Sequence, residues 1–234
     1  MTALRLARVA ALAAATAAAT QPPCYAAINT AQAIETPCST TILDYSDGGV
    51  RVVLRAFSPN VATEVEADVL LDPGAPFDEY VRGCADLVFS YFTGVNKANE
   101  NLTSALTAPF IVRPPVAGGR ENWAGVMALA PSRWPAARAP PAPVAEGVTV
   151  RAFGGVVIAA VPVALPAAPT EGDFRAAYAA LGAHLARLPV PGQWVINASS
   201  PQSPSFSFYY TQRFSGPQFL IEASAEVYHT PAGA

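Results

Sequence analysis

Charge is scarce in this sequence. Only 13% of its 234 residues are Asp, Glu, Lys or Arg, about half the usual quarter. Of the 14 cationic residues one is a lysine, Lys97, and the arginines are scattered rather than clustered. The basic stripe that nucleic acid requires to release phosphate counterions is therefore missing. Histidine occurs twice (His184, His229), methionine twice (Met1, Met127) and cysteine three times (Cys24, Cys38, Cys84). No His/Cys spacing among these builds a metal site, and no Met or His stands out as an axial ligand. A G-x-S-x-G elbow and a phosphate-cradling glycine loop are also absent. Nucleic-acid binding, strong metal ligation and a serine triad have no support here.

What the chain does have is apolar residues, 52% of the total, and 23 prolines. Much of the apolar share is alanine, so the excess does not imply a membrane protein. Residues 1–19 read as a targeting segment. Arg5 and Arg8 supply a positive start, Val9 to Ala19 is an uncharged run too short to span a bilayer, and Ala17-Ala18-Ala19 fits a small-residue cleavage site. Ala31-Gln32-Ala33 is a second cleavage candidate. A plastid transit peptide suits the same Arg-, Ala- and Thr-rich composition. Residues 20–33 read as an irregular lead-in, and residues 34–230 as the folded domain.

Within that domain the pattern occurs twice. VRVVLRAF (Val50 to Phe57) is β-branched and reads as a strand; VATEVEAD (Val61 to Asp68) alternates and reads as a half-exposed one. A helix is expected from Pro76 to Thr93, stopped at Gly94. Its core stripe is Phe77, Tyr80, Val81, Cys84, Leu87, Val88, Tyr91 and Phe92. Ala108 to Arg113 and Ala124 to Ala130 are strands, joined through Gly118-Gly119. A Pro/Ala-rich linker spans Pro131 to Pro143, where proline offers no ladder donor. Then come strands Val148 to Phe153 and Val156 to Ala164, a helix from Thr170 to Leu188 with a Thr170/Asp173 cap, and strands Phe206 to Gln212 and Phe219 to Tyr228. Each half thus reads strand, strand, helix, strand, strand. An internal duplication giving one α+β domain with antiparallel sheets accounts for it.

Several short motifs fall in a telling order. They are IETP (Ile34 to Pro37), RAF (Arg55 to Phe57), TGVN (Thr93 to Asn96), LTAP (Leu106 to Pro109) and AEVY (Ala225 to Tyr228). In order and spacing the set resembles the SOUL/heme-binding protein family over residues 34–229, most closely its secreted plant-type members. That family usually has Met where Leu106 stands and Asn where Ala225 stands. The resemblance implies a distorted antiparallel β-barrel or paired sheets, from a duplicated ββαββ unit, with two helices outside.

It also implies a function: non-catalytic binding or carriage of heme or another tetrapyrrole in a hydrophobic groove along the first helix. Aligned on the G-x-N turn, Arg82 falls where the family has an arginine suited to a propionate, and Ala85 and Phe89 fall at apolar groove positions. On a helix these three share one flank of the core stripe. Secreted members have one cysteine in the lead-in and another by the E-x-P motif, which implies a Cys24–Cys38 disulfide; cleavage after Ala33 would remove it. The expectation is then a secretory-pathway, extracellular or vacuolar monomer, with a chloroplast location as the alternative. The mature chain would have no integral membrane segment. Asn101-Leu102-Thr103 and Asn197-Ala198-Ser199 are glycosylation sequons in expected loops. His184 reads as a boundary histidine and His229 as a terminal one. Two other classes stay open. One is a small-molecule hydrolase of the related effector-binding fold, with Glu222 or Glu226 as base beside Trp194, Tyr209 and Tyr210. The other is an interaction module that has lost its ligand.

Overall fold

The structure, a computed structural model, describes residues 24–29, 32–72, 74–116, 121–134, 138–209 and 219–231, with backbone alone for 24–29 and 32–34. The targeting segment 1–19, its Ala17-Ala18-Ala19 cleavage site, the Gly118-Gly119 connection and Tyr210 lie outside the described residues.

The elements run β1 (Cys24–Asn29), β2 (Gln32–Thr36), β3 (Ser39–Asp47), β4 (Val50–Phe57), β5 (Ala62–Val69), α1 (Phe77–Phe92), β6 (Phe110–Arg113), β7 (Trp123–Leu129), β8 (Val148–Phe153), β9 (Val157–Leu165), α2 (Glu171–Leu185), β10 (Gln193–Ile196), β11 (Ser205–Tyr209) and β12 (Phe219–Thr230). The chain is α+β, as expected. β1 and β2 form an antiparallel hairpin where the sequence reads as an irregular lead-in. The other strands join one antiparallel sheet of order β3-β4-β9-β12-β11-β6-β7-β5-β8, with β10 also paired to β12. The path ends at two edges, β3 and β8, so the sheet is not closed.

The strand order carries the duplication. Exchange β4, β5, β6, β7 for β8, β9, β11, β12, and the path from β4 to β8 reads the same backwards. A pseudo-two-fold axis therefore passes between β6 and β11. The halves also exchange their first strands. β4 pairs with β9 of the second half, and β8 pairs with β5 of the first. Neither half completes the sheet alone. The two RAF strand ends meet at one rim, where Phe57 and Phe153 pack edge to face with ring centres 5.0 Å apart. Gly154 (φ 131°) brings its turn against Ser58 so closely that a Cβ there would lie 2.0 Å from the Ser58 carbonyl oxygen.

Both helices pack on strands: α1 on β5, β6 and β7, α2 on β4, β9, β10 and β12. Helix α1 buries Tyr80, Cys84, Val88, Tyr91 and Phe92, five of the eight residues of the expected stripe, while Phe77, Val81 and Leu87 are half-buried. Its end is a Schellman turn. Val95 N–H donates to Ser90 (3.0 Å) and Gly94 N–H to Tyr91 (3.3 Å), with Gly94 at φ 112° in the left-handed region that glycine enters without strain. Asn96 follows, 1% exposed. Its amide donates to the carbonyls of Tyr91 (3.1 Å) and Glu100 (2.8 Å), and its Oδ1 accepts from the N–H groups of Ala98 and Glu100. One side chain thus satisfies the whole turn. Helix α2 opens on the expected capping box between Thr170 and Asp173.

The Pro/Ala-rich stretch is not a free linker. Tyr91 donates its hydroxyl to Pro141 (2.7 Å), Lys97 N–H donates to Ala142 (2.8 Å), and Trp134 is 4% exposed under Arg138. Sequence composition alone does not show these anchors, because they come from the carbonyls of Pro141 and Ala142 and from the Arg138 guanidinium over Trp134.

Gly125 in β7 sits under α1. A Cβ there would lie 2.7 Å from Cys84 Cβ and 2.8 Å from its carbonyl oxygen. Gly125→Ala should destabilise the fold by about 1–3 kcal/mol in urea titrations, the usual cost of overpacking. Gly182 in α2 has open space around it, with no atom within 4 Å of where a Cβ would stand. Gly182→Ala should therefore stabilise by up to ~1 kcal/mol. Equal effects at the two sites would contradict the close approach of α1 to β7.

Candidate functional site

Because side chains alternate across a strand, each sheet face has its own chemistry. The face under the helices is aromatic. Phe110 on β6 and Phe208 on β11 stand 6.3 Å apart at the centre, and Phe208 meets Phe174 of α2 at 4.9 Å. Phe77, at the start of α1, closes on Phe208 at 6.4 Å and on Phe174 at 6.0 Å. Along α1, Phe77, Val81, Ala85 and Phe89 recur every fourth residue. All four are half-buried and packed on the core, forming one ridge of the helix. Phe89 stacks on Phe110 at 6.3 Å with planes 23° apart. This flank of α1 is thus a partly exposed apolar ridge packed over a cluster of aromatic rings.

The three residues expected to hold a ligand do share this flank. Ala85 and Phe89 belong to the ridge. Arg82 stands beside them, 69% exposed, with only a 3.5 Å contact to Asp78. That pair is loose and solvent-screened, so the guanidinium is free to reach an anionic group. Each histidine has one of its two ring nitrogens at a backbone carbonyl. His184 Nδ1 lies 2.9 Å from the Ala180 carbonyl oxygen, and His229 Nε2 lies 2.8 Å from that of Pro191. Among the described residues no group of three or more His, Cys, Asp or Glu is placed to hold a metal ion. The ridge residues fit a flat apolar ring with carboxylate substituents; they provide no axial ligand for an iron.

The opposite, concave face is polar and encloses a cavity of about 480 Å³. Its floor is β11 and β12, with Ser205, Ser207, Tyr209, Glu222 and Ser224, and its walls include Phe57, Phe153, Ile158 and Leu220. Three of the motifs singled out in the sequence border it, through Thr36-Pro37, Arg55 with Phe57, and Thr107-Ala108-Pro109. Glu222, 4% exposed, receives both Arg55 guanidinium nitrogens at 2.8 Å. Burial works against the Arg55 cation, but the Glu222 charge and hydrogen bonds outweigh it, so its pKa is raised. Burial and then the Glu222 charge push the neighbouring Tyr209 phenol well above its usual value. It therefore stays protonated at any ordinary pH.

Beside this lies a second charge group that sequence reasoning missed. Arg113 is 0% exposed. Its guanidinium donates to Glu66 (2.7 Å), Glu64 (3.2 Å), Gln202 (2.5 Å) and Ser205 (3.2 Å), and Arg151 also pairs with Glu64 and Glu66. The alternation of VATEVEAD correctly puts Glu64 and Glu66 on one face. That face is not solvent, however, since Glu64 is 2% exposed; the curl of the sheet turns it inward.

The remaining candidates are dispersed. Glu226 shares the face of Glu222 but bonds to Ser200 (2.5 Å) and Asn197 (3.3 Å). Trp194 packs on His229, away from Tyr209. Both oxygens of Glu222 are engaged by Arg55, so the geometry provides no free carboxylate base in the cavity. Cys38 is disulfide-bonded and Cys84 is free and buried. The backbone of Cys24 pairs with Thr36, two residues before Cys38. Asn101 is exposed, with Oδ1 accepting from Thr103, whereas Asn197 is half-buried. No helix among the described residues is long and apolar enough to cross a membrane. Compared with known proteins, the chain matches no family model and no curated protein.

Two measurements test this geometry. Glu222→Gln leaves the Arg55 cation, itself 24% exposed, without its counter-charge. It should cost about 2–4 kcal/mol, somewhat under a fully buried broken pair. Disrupting the exposed Arg51–Asp44 pair by Arg51→Ala should cost under ~1 kcal/mol. Separately, burial pushes the Cys84 thiol up to about 12. Cys84 should resist iodoacetamide at pH 8 in the native state and react in urea; labelling at native rates would show that α1 lifts off the sheet.

Proposed function

We propose that this protein is a non-catalytic binder of a flat, carboxylate-bearing tetrapyrrole of the heme/protoporphyrin class, held against the apolar ridge of α1. The observation that carries this reading is the half-buried ridge Phe77–Val81–Ala85–Phe89 over the aromatic rings of Phe110 and Phe208. Its half-buried rings, Phe77 and Phe89, would meet a planar ring, with Arg82 at the edge for a propionate. The motif order and the ββαββ duplication support placing the chain with the SOUL/heme-binding type, whose distorted barrel the curled sheet would represent. The targeting segment and the Cys38 disulfide support a secretory location for a monomeric carrier.

Affinity on this reading comes from burial. At ~25 cal/mol per Å², covering roughly 300–400 Å² of apolar surface yields about 8–10 kcal/mol before ordering costs. With an exposed propionate contact added, micromolar binding follows. Hemin and metal-free protoporphyrin should bind within a few-fold of one another, since Phe77, Val81, Arg82, Ala85 and Phe89 are not customary iron ligands.

The test is a titration followed by the Soret band. Phe89→Ala should weaken both ligands by roughly 10-fold, in line with losing a large buried aromatic contact. Arg82→Ala should weaken both by a similar, smaller factor, and His184→Ala should change neither. If His184→Ala alone abolished hemin binding while sparing protoporphyrin, an axial-ligand site would replace the ridge. No saturable binding of either ligand would end the reading.

A further inference from the structure

The concave cavity has a chemistry unlike that of the ridge, and the ridge reading makes no use of it. Its charges are already matched. Arg51 is held by both oxygens of Asp44, at 2.9 and 2.6 Å, and Arg55 by both oxygens of Glu222, at 2.8 Å each. Glu64 is shared between Arg113 and Arg151. A charged guest would either break one of these pairs or enter a half-buried site without a counter-ion, and both are costly.

What remains uncommitted is neutral. Ser207 and Ser224 border the cavity and are 3% and 5% exposed. Their hydroxyls make no side-chain hydrogen bond among the described residues. Three further hydroxyls on the wall are engaged: Thr36 donates to Pro37, Thr107 to Ala128 and Ser205 to Gln202. Apolar surface completes the lining. The edge-to-face pair Phe57–Phe153 stands at one side, and Ile158 and Leu220 at the others. At about 480 Å³ the space falls in the range of small-molecule sites, which combine apolar walls with a few convergent polar groups.

We infer that this cavity is a second ligand site, independent of the ridge, for an uncharged compact aromatic molecule bearing a hydroxyl or similar polar group, the monocyclic phenol class. Its ring lies against Phe57, Phe153 and Leu220, and its polar group meets the Ser207 and Ser224 hydroxyls. The paired charges exclude the acid and amine analogues of the same size.

The full chain is titrated with p-cresol, benzoate and benzylamine at pH 7 by saturation-transfer NMR, with protoporphyrin present at saturation. The expected result is saturable p-cresol binding, with benzoate and benzylammonium at least 10-fold weaker. Leu220, at 37% exposure, lies at the rim, so Leu220→Trp narrows the site without touching the core. This variant should keep its melting temperature and lose p-cresol binding by 10-fold or more; Ser224→Leu, which fills the floor, should do the same. Phe89→Ala should leave p-cresol binding unchanged while weakening protoporphyrin, which separates failure of this site from failure of the ridge. Charged probes binding as well as p-cresol, a p-cresol signal that never saturates, or full binding by the folded Leu220→Trp variant would each overturn the assignment.

Discussion

The pairing of β6 with β11 is the constraint on which the rest of the molecule depends. These strands have four and five residues and are joined in register as Phe206 with Val112, Ser207 with Ile111, and Phe208 with Phe110. They lie on the pseudo-two-fold axis, and the two halves meet through them at the centre of the sheet. Side chains alternate, so this register sends Phe110, Val112, Phe206 and Phe208 to the helices and Ile111, Arg113, Ser205 and Ser207 to the concave side. A slip of one residue in either strand would exchange these sets. Aromatic rings would fill the cavity, and serines and a guanidinium would face the helix core. Both candidate surfaces are consequences of one register.

Arg113 gives that register a chemical lock. A buried guanidinium is a weak source of net stability, because desolvation offsets most of its Coulombic gain. Its value here lies in how completely it is satisfied. Partners reach it from β5 through Glu64 and Glu66, from the loop before β11 through Gln202, and from β11 through Ser205. Three chain segments must be in place together for the charge to be tolerated. Misregistered pairings would strand it without acceptors, at a cost of several kcal/mol. A further contact between halves, at the Phe57–Phe153 rim, is apolar and less selective, so the polar group specifies what the rim only closes.

Much of this architecture was legible in the sequence, and the reasons are local. Periodicity placed α1 and its buried stripe, because Tyr80, Cys84, Val88 and Tyr91 repeat at helical spacing and Gly94 can take the positive φ that ends the helix. The strand-strand-helix-strand-strand order read in each half announced the α+β class and its two helices. Less legible was anything set by sheet curvature. Glu64 and Glu66 alternate like a solvated face, and nothing in VATEVEAD says that the face curls inward against Arg113. The short strand at Gln193–Ile196 and the long one at Ser39–Asp47 lack a strong pattern, since each borders the sheet on one side only. The site divides the same way. Arg82, Ala85 and Phe89 share a flank by helical geometry alone, whereas Ser207, Ser224, Arg55 and Phe57 converge only once the strands are paired.

The scarcity of charge in the sequence then has a structural explanation. Of the nine described arginines, seven pair with carboxylates, and the most buried of these pairs lie on the concave face. Charges there are tolerated only in matched, hydrogen-bonded sets, so each addition requires a partner at a fixed register position. Alternation along the same strands makes the other face aromatic. A sheet of this kind has few positions where a charge is neutral to stability. Among the described residues the low charge content accords with having both faces engaged, one with paired ions around a cavity and the other with rings beneath two helices.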